Sequence, residues 1–292
     1  YAPVSGGAIY IEGVRASVKN SEINNSSAKA ASGFVSANLG GAIYIIGNYA
    51  NISDSSISRS SALTGGGIFL ESSHTTVLNS NFTDNLANFD GGAIYWKGIG
   101  NSEYLDVDGC NFINNTAIAA STEDTTRGGG AIFFSQQGKY GTVRNSNFTN
   151  NSVQATRKAD GGAILCTLSY HGVIDNCVFD GNFITSTMQR DISNTKLFIQ
   201  GGALFLRASD NYTVSNSVFK NCRSEMEGGA IYLSTRAKTG TANPNGVFFT
   251  NLTFINNTAK NGGPAVSDNH MGGGAIYIKE CNDKSLDRKS VV

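Results

Sequence analysis

The chain has 292 residues, of which 15% are charged, and 22 basic and 22 acidic residues give it a formal net charge of zero. This balance argues against a nucleic-acid-binding protein, because the phosphate backbone favours a basic surface, and against capture by acidic membranes. No stretch approaches the roughly 20 consecutive apolar residues of a membrane-spanning helix, so we expect no direct membrane insertion by this segment.

The first predicted strand, AIYI at 8–11, follows a pair of glycines, and this unit recurs along the chain. The first glycine of each copy stands at 6, 40, 65, 91, 129, 161, 201, 228 and 273, with spacings of 25 to 45 residues. Self-similarity with such a period is typical of solenoids.

Two more short strands follow each GGAI unit. The first contains an apolar residue, the Val column: Val18, Ile52, Val77, Val107, Val143, Ile174, Val214 and Phe249. The second contains another, the Phe column: Ile23, Ile57, Phe82, Phe112, Phe148, Phe179, Phe219 and Phe254. Short β-branched and aromatic runs separated by Asn and Gly predict strands and bends.

These elements predict an all-β fold, a single-stranded right-handed parallel β-helix of about eight to nine coils with loop insertions, as one domain over 1–292. A single repeat cannot bury its own apolar side, so stacking must create the core, and crossover chirality favours the right-handed winding. The glycine pair should turn a corner, the Ile should face the core and the Ala should allow close stacking. An interior Asn column should form a ladder between coils.

The insertions and the end of the chain lie outside this repeat. Insertions cluster after the Phe column, at 24–39, 113–128, 149–160, 180–200 and 255–272, and a further excursion covers 234–246. Loops on one side of a repeat scaffold often carry recognition, and surface loops without function are the alternative. Residues 282–292 form a polar tail, and we expect the chain to be a fragment of a longer protein.

An aromatic column accompanies the GGAI strands and is the first candidate binding site. Its members are Tyr10, Tyr44, Phe69, Tyr95, Phe133, Phe205, Tyr232 and Tyr277, with Leu165 in one copy. Neighbouring residues of a strand point to opposite faces. The column is therefore either an outward stripe for binding sugar rings or another protein, or a set of rings that loops or the core cover.

Catalysis is the second possibility, because some parallel β-helices cleave polysaccharides with paired acids or with a carboxylate and a basic residue. The candidates are Asp106 with Asp108, Asp175 with Asp180, and Arg144 one coil from Asp175. Acidic residues scattered over many strands produce such pairs by chance. We therefore predict no catalytic residues and no enzyme.

Neither a metal nor a cofactor is predicted. Asp90, Asp160 and Glu227 each precede a glycine pair and resemble calcium ligands, but non-acidic residues in the other copies favour solvated turn residues. The histidines at 74, 171 and 270 lie in different coils without metal or triad spacing, which is typical of surface residues.

Two cysteines and several asparagines complete the candidates. Cys110 and Cys177 occupy a column that is mostly Ser, which favours small interior residues over a disulfide. Asn114, Asn150 and Asn256 head N-x-S/T sequons at predicted turns, and they are candidates for N-glycosylation if the protein is exported.

The sequence FINNTA at 112–117 and 254–259, each followed by a GGAI unit, resembles the GGAI and FxxN repeats of chlamydial polymorphic outer-membrane proteins. It is also similar to adhesin-like surface proteins of methanogenic archaea. The resemblance implies an extracellular, surface-attached passenger or stalk that mediates adhesion without catalytic residues, with surface glycans or proteins as partners. Two alternatives stay open: a structural subunit that self-associates into fibres through its helix ends, and a polysaccharide lyase or hydrolase.

Overall fold

The computed structural model describes eleven stretches of the chain. They cover 5–29, 38–99, 103–119, 127–135, 139–155, 158–187, 198–207, 209, 211–234, 246–260 and 272–279. The predicted tail at 282–292, His270 and much of the insertions lie outside these residues. Within them, no helix is long and apolar enough to cross a membrane.

Three parallel sheets follow the three predicted strands of each coil. Sheet A holds Ile9–Glu12, Ile43–Ile46, Ile68–Glu71, Ile94–Lys97, Ile132–Phe134, Ile164–Thr167, Leu204–Arg207, Ile231–Ser234 and Ile276–Lys279. Sheet B holds Ser17–Lys19, Asn51–Ser53, Thr75–Leu78, Leu105–Asp108, Gly141–Arg144, Val173–Asp175, Thr213–Ser215 and Phe248–Thr250. Sheet C holds Glu22–Asn24, Ser56–Ser58, Asn81–Thr83, Asn111–Ile113, Asn147–Thr149, Val178–Asp180, Val218–Lys220 and Thr253–Ile255.

Two smaller sheets lie on the return from sheet C to the next glycine pair. Sheet D holds Ser61–Thr64, Leu86–Asp90, Thr116–Ala119, Ser152–Ala155, Phe183–Ser186, Arg223–Ser224 and Thr258–Ala259. Sheet E pairs Lys158–Asp160 with Phe198–Gln200. Alanines and aliphatic residues of these returns form a small apolar cluster of their own.

Strands of one sheet come from successive coils and pair in parallel with equivalent residues in register, as Ile43 with Ile68 and Phe82 with Phe112. The predicted parallel β-helix is therefore confirmed, with the right-handed winding that parallel crossovers adopt. Within the described residues it makes eight full coils, and a ninth strand of sheet A follows.

The interior between sheets A, B and C is apolar, as the repeat requires. The Ile of GGAI, the Val column and the Phe column form one buried cluster. Consecutive rings of the Phe column stack face to face, with centroids 4.8 Å apart for Phe112 and Phe148 and 4.6 Å for Phe179 and Phe219. The Trp96 indole Nε1 donates to the Ser72 carbonyl at 2.9 Å, so the one buried indole is satisfied.

The glycine pair turns the corner into sheet A, as predicted. The first glycine has a positive φ, 65° at Gly65 and 65° at Gly91, which favours a residue without Cβ. The bends between sheets B and C and between sheets C and D use mainly Asn or Asp in the same left-handed conformation, as at Asn145 (φ 49°) and Asn150 (φ 53°). Their short polar side chains tolerate it better than bulky residues do.

The predicted Asn ladder lies at the bend between sheets C and D. It consists of Asn85, Asn115, Asn151 and Asn182, all buried. Each Nδ2 in the first three donates to the Oδ1 of the next coil's Asn at 2.9 to 3.0 Å. The second Asn column, three residues before the Phe column, lies instead at an outer bend, where Asn176 Nδ2 donates to Asn145 Oδ1 at 2.7 Å.

Within the described part of the chain the cysteines are free and buried: Cys110, Cys166, Cys177 and Cys222. Cys110 and Cys177 donate through Sγ to carbonyl oxygens of the bend, as Ser does at the equivalent positions. The prediction of small interior residues is confirmed. Burial raises the pKa of both thiols to about 12, so they remain protonated at neutral pH.

Candidate functional site

The predicted aromatic stripe lies on the outer face of sheet A, opposite the core, yet it is largely covered. Phe133, Leu165, Phe205 and Tyr232 form a separate buried cluster, and Tyr44 and Phe69 are also buried. Tyr95 and Tyr277 are half-buried. Only Tyr10, 51% exposed, offers much of its ring to solvent. Of the two alternatives, the covered column is the one observed, and a continuous exposed stripe along it is wrong.

A row of carboxylates lies beside this covered column. Asp90, Asp160 and Glu227 are 4%, 5% and 4% exposed, so the prediction of solvated turn residues is wrong. The reason is that the segments before the glycine pairs pair in parallel with those of neighbouring coils, as Asp160 does with Gln200 and Gln200 with Glu227. In the described residues no group of three or more acidic, His or Cys side chains is arranged to hold a metal.

Asp90 has partners in the next coil. Its Oδ2 accepts from Arg127 Nη1 at 2.7 Å, and its Oδ1 accepts from the Gly128 amide at 3.0 Å. Burial raises the pKa of Asp90 to about 6, while Arg127 and Gly128 act in the opposite direction. At neutral pH the carboxylate is therefore ionised and paired.

Asp160 is less well satisfied, although Gln200 Nε2 donates to Glu227 in a short hydrogen bond nearby. Among the described residues, the Oδ1 of Asp160 is buried without a hydrogen-bond partner. Burial raises the pKa of Asp160 to about 8, with Glu227 acting in the same direction and Arg207 and Lys158 against it. Asp160 therefore binds its proton more tightly in the folded chain.

We expect Asp160→Asn to raise the melting temperature near pH 9 and to change it little near pH 4. A carboxyl whose folded pKa lies above its ordinary value makes folding less favourable as the pH rises, here from about 4 to about 8, and asparagine cannot ionise. Thermal unfolding followed by circular dichroism across this range checks it. Asp90→Asn should raise the melting temperature near pH 9 less, since Arg127 and Gly128 hold the pKa of Asp90 closer to its ordinary value, at about 6. A lower melting temperature for Asp160→Asn near pH 9 would contradict the assignment.

The catalytic candidates lie on the outer faces of sheets B and C, where neighbours engage them. Arg144 Nη1 lies 3.6 Å from Asp106 Oδ1. Asp108 accepts from Asn145 Nδ2 at 2.7 Å. Asp175 accepts from Ser215 Oγ at 2.6 Å, which lowers its pKa.

Asp180, on sheet C, pairs with Lys220 Nζ at 3.2 Å and accepts from Asn221 Nδ2 at 2.8 Å. Asp175 and Asp180 thus belong to separate faces with separate partners. The sequon residues Asn114, Asn150 and Asn256 are exposed at bends with positive φ. Their glycosylation stays a prediction.

A different set of five rings lies at the bend between sheets A and B, where Tyr140 is half-buried and the other four are exposed. We call Tyr49, His74, Tyr104, Tyr140 and His171 the ring ladder. Successive centroids are 4.9, 5.8, 5.2 and 5.1 Å apart, and successive planes differ by 10° to 33°. Arg15 Cζ lies 5.8 Å from the Tyr49 centroid at one end, and Asn211 Nδ2 contacts His171 Nδ1 at 3.1 Å at the other.

The ring ladder was not predicted, although the sequence contains its signal. Each member stands three residues before the Val column, as His74 does before Val77 and Tyr140 before Val143. Counting from the glycine pair hides this register, because the intervening segment varies in length. The two histidines, predicted to be separate surface residues, therefore share one surface column.

The family model for the Chlamydia polymorphic membrane protein repeat matches residues 109–135 and 145–167. No curated protein matches the chain. A solved structure, described as a mannuronic acid specific polysaccharide family 6 lyase enzyme from human gut microbiota, is 14% identical over 90% of this chain and 73% of its own, with a TM-score of 0.29. That likeness carries no argument about chemistry. The chain is thus a parallel β-helix in which two segments match the repeat of Chlamydia polymorphic membrane proteins.

Proposed function

We propose that this chain is an extracellular, surface-attached β-helix that mediates attachment to cells, to glycans or to other surface proteins, and that it is not an enzyme. The observation that carries the proposal is the family match over two coils, because the family is named for membrane proteins with this repeat. The in-register stacking of every coil supports it, since the outer columns give an extended surface for a partner.

The outer carboxylates support the non-catalytic part of the proposal. A general acid or base must reach a substrate proton. Here Asp108, Asp175 and Asp180 each accept from an Asn side chain of a neighbouring coil. These bonds continue the ladders of the outer bends, and they favour a role in holding coils together.

Beads coated with the purified chain test attachment directly. We expect several-fold more of them to adhere to microbial or epithelial cell layers than beads coated with serum albumin. Equal adhesion of both kinds of bead would contradict the proposal. Oligosaccharide released from added polysaccharide would contradict its non-enzymatic part, and filaments in sedimentation would favour the fibre subunit.

A further inference from the structure

We propose that the ring ladder is a binding site for a polysaccharide chain that lies along the axis of the β-helix. This inference rests on the proposed function, of which it names the surface and the ligand class. The proposed binding surface is therefore the ring ladder, and not the covered aromatic column on sheet A.

The first argument is the backbone strain at these positions. Tyr49 and Tyr140 have φ of 64° and 52°, a conformation that is unfavourable for bulky residues. His74 and His171 adopt the same conformation, with φ of 54° and 56°. At the bend that follows His171 in the same column, Asn211 has φ of 55°, so a small polar residue satisfies the turn. Strained residues that the fold does not require concentrate at functional sites.

The second argument is that the rings gain little by burial. Tyr49 is 52% exposed and Tyr104 is 47% exposed, and both histidines are also exposed. A Tyr or His ring that serves the core would be covered, as Tyr232 is on sheet A. The ring ladder therefore keeps strained rings in contact with solvent.

The third argument concerns the shape of the site. The rings stack largely face to face, so their edges rather than their faces are open to a partner. The five rungs at about 4.8 Å each form a strip roughly 20 Å long and one residue wide. The stack opens most between His74 and Tyr104, where the planes differ by 33° and the centroids are 5.8 Å apart.

Charge and width select the ligand class. Arg15 is the charged group on the stack, and the neighbouring Glu103 is 1% exposed and accepts from the Lys139 amide. A nucleic acid would require a basic track along its backbone. A strip one residue wide is narrow for a standard protein interface.

A polysaccharide fits both features. Its units repeat along a line and present hydroxyls to the tyrosine and histidine edges. Several weak contacts made by one chain combine through their high effective concentration. The geometry therefore favours a linear glycan over a compact ligand.

The test replaces rings with the residue that the column itself uses at Asn211. The double variant Tyr140→Asn and His171→Asn removes two adjacent rungs and suits the left-handed backbone. The probes are immobilised cellohexaose, chitohexaose, polygalacturonate and chondroitin sulfate. We expect the wild-type chain to bind at least one of them and the double variant to bind it about tenfold more weakly. The melting temperature should stay within about 2 °C or rise.

Ile113→Asn is the matched control, because it introduces the same residue at an exposed position of sheet C. It should leave the affinity unchanged. Failure of the wild-type chain to bind any of the four probes would overturn the ligand class. Equal affinity of the double variant, or a fall of more than about 8 °C in its melting temperature, would overturn the site by giving the rings no role or a structural one.

The bead assay separates this inference from the proposed function. If beads coated with the double variant adhere to cells as well as wild-type beads do, attachment stands and the ring ladder is not its surface. If the chain binds a polysaccharide through the ring ladder while wild-type beads adhere no better than albumin beads, the glycan site stands and attachment to cells is wrong.

Discussion

Gly66→Ala is expected to destabilise the β-helix by at least about 3 kcal/mol, whereas Gly67→Ala should be nearly neutral. A Cβ on Gly66 would lie 2.3 Å from the Gly92 carbonyl oxygen and 2.4 Å from the Leu86 carbonyl carbon. Both are backbone atoms of the next coil, which cannot move without breaking the register of sheets A and D. The second glycine of the pair is therefore required because two coils of the β-helix approach each other closely at this corner.

Gly67 is the matched control because it is the next residue of the same corner. Its Cβ would meet the Ala93 carbonyl oxygen at 2.8 Å. The other copies of the repeat carry alanine at this position, as Ala93 does itself, so the backbone accommodates that methyl group. Urea unfolding of both variants, followed by circular dichroism, measures the difference. Similar midpoints for the two variants would contradict the packing argument.

Asn115→Leu is expected to cost about 3 to 5 kcal/mol, although leucine has a similar size and is more apolar. Asn115 Oδ1 accepts from the amide and from the Nδ2 of Asn85 at 3.1 and 3.0 Å. Its Nδ2 donates to the Phe82 carbonyl and to Asn151 Oδ1, both at 2.9 Å. Removing it leaves several buried polar groups without partners, and each costs about 1 to 3 kcal/mol.

The same substitution on the exposed face of sheet C provides the control. Asn147→Leu removes an exposed side chain whose Nδ2 donates to Asn111 Oδ1 at 3.0 Å. Water can replace that bond, so we expect a change within about 0.5 kcal/mol. The free energy of unfolding in urea should thus fall only for Asn115→Leu. Equal losses would show that the interior ladder contributes no more than the exposed Asn pairs of sheet C.

The fold could be predicted from the sequence because equivalent positions of each coil carry residues of the same type. The Phe column, the glycine corner and the Asn ladder each appear in several copies, so their register is visible without a structure. The sequence did not allow the burial of side chains beside sheet A to be predicted. Asp160 and Tyr232 lie in different strands, and alternation alone does not reveal that both side chains are buried.

The ring ladder shows a second limit of the pattern. Its residues differ in type, and their distance from the glycine pair varies, so no single column of identical residues marks them. Four of the five share a positive φ, which becomes visible only in the backbone, as at Tyr49 or His171. Sites that a fold tolerates rather than requires are therefore the ones that repeat analysis misses.

The return from sheet C to the next glycine pair can differ in length from coil to coil, while the pairing register of sheet A stays the same. The return from Ile57 to Gly65 is short and the return from Phe179 to Gly201 is more than twice as long, yet Ile68 and Leu204 pair with their neighbours in the same way. Lengthening such a closed loop costs only about 0.6 kcal/mol per doubling. Descendants of this chain can therefore vary the segments shown at this edge, and an engineer can graft foreign segments there, while the rod that carries them stays the same.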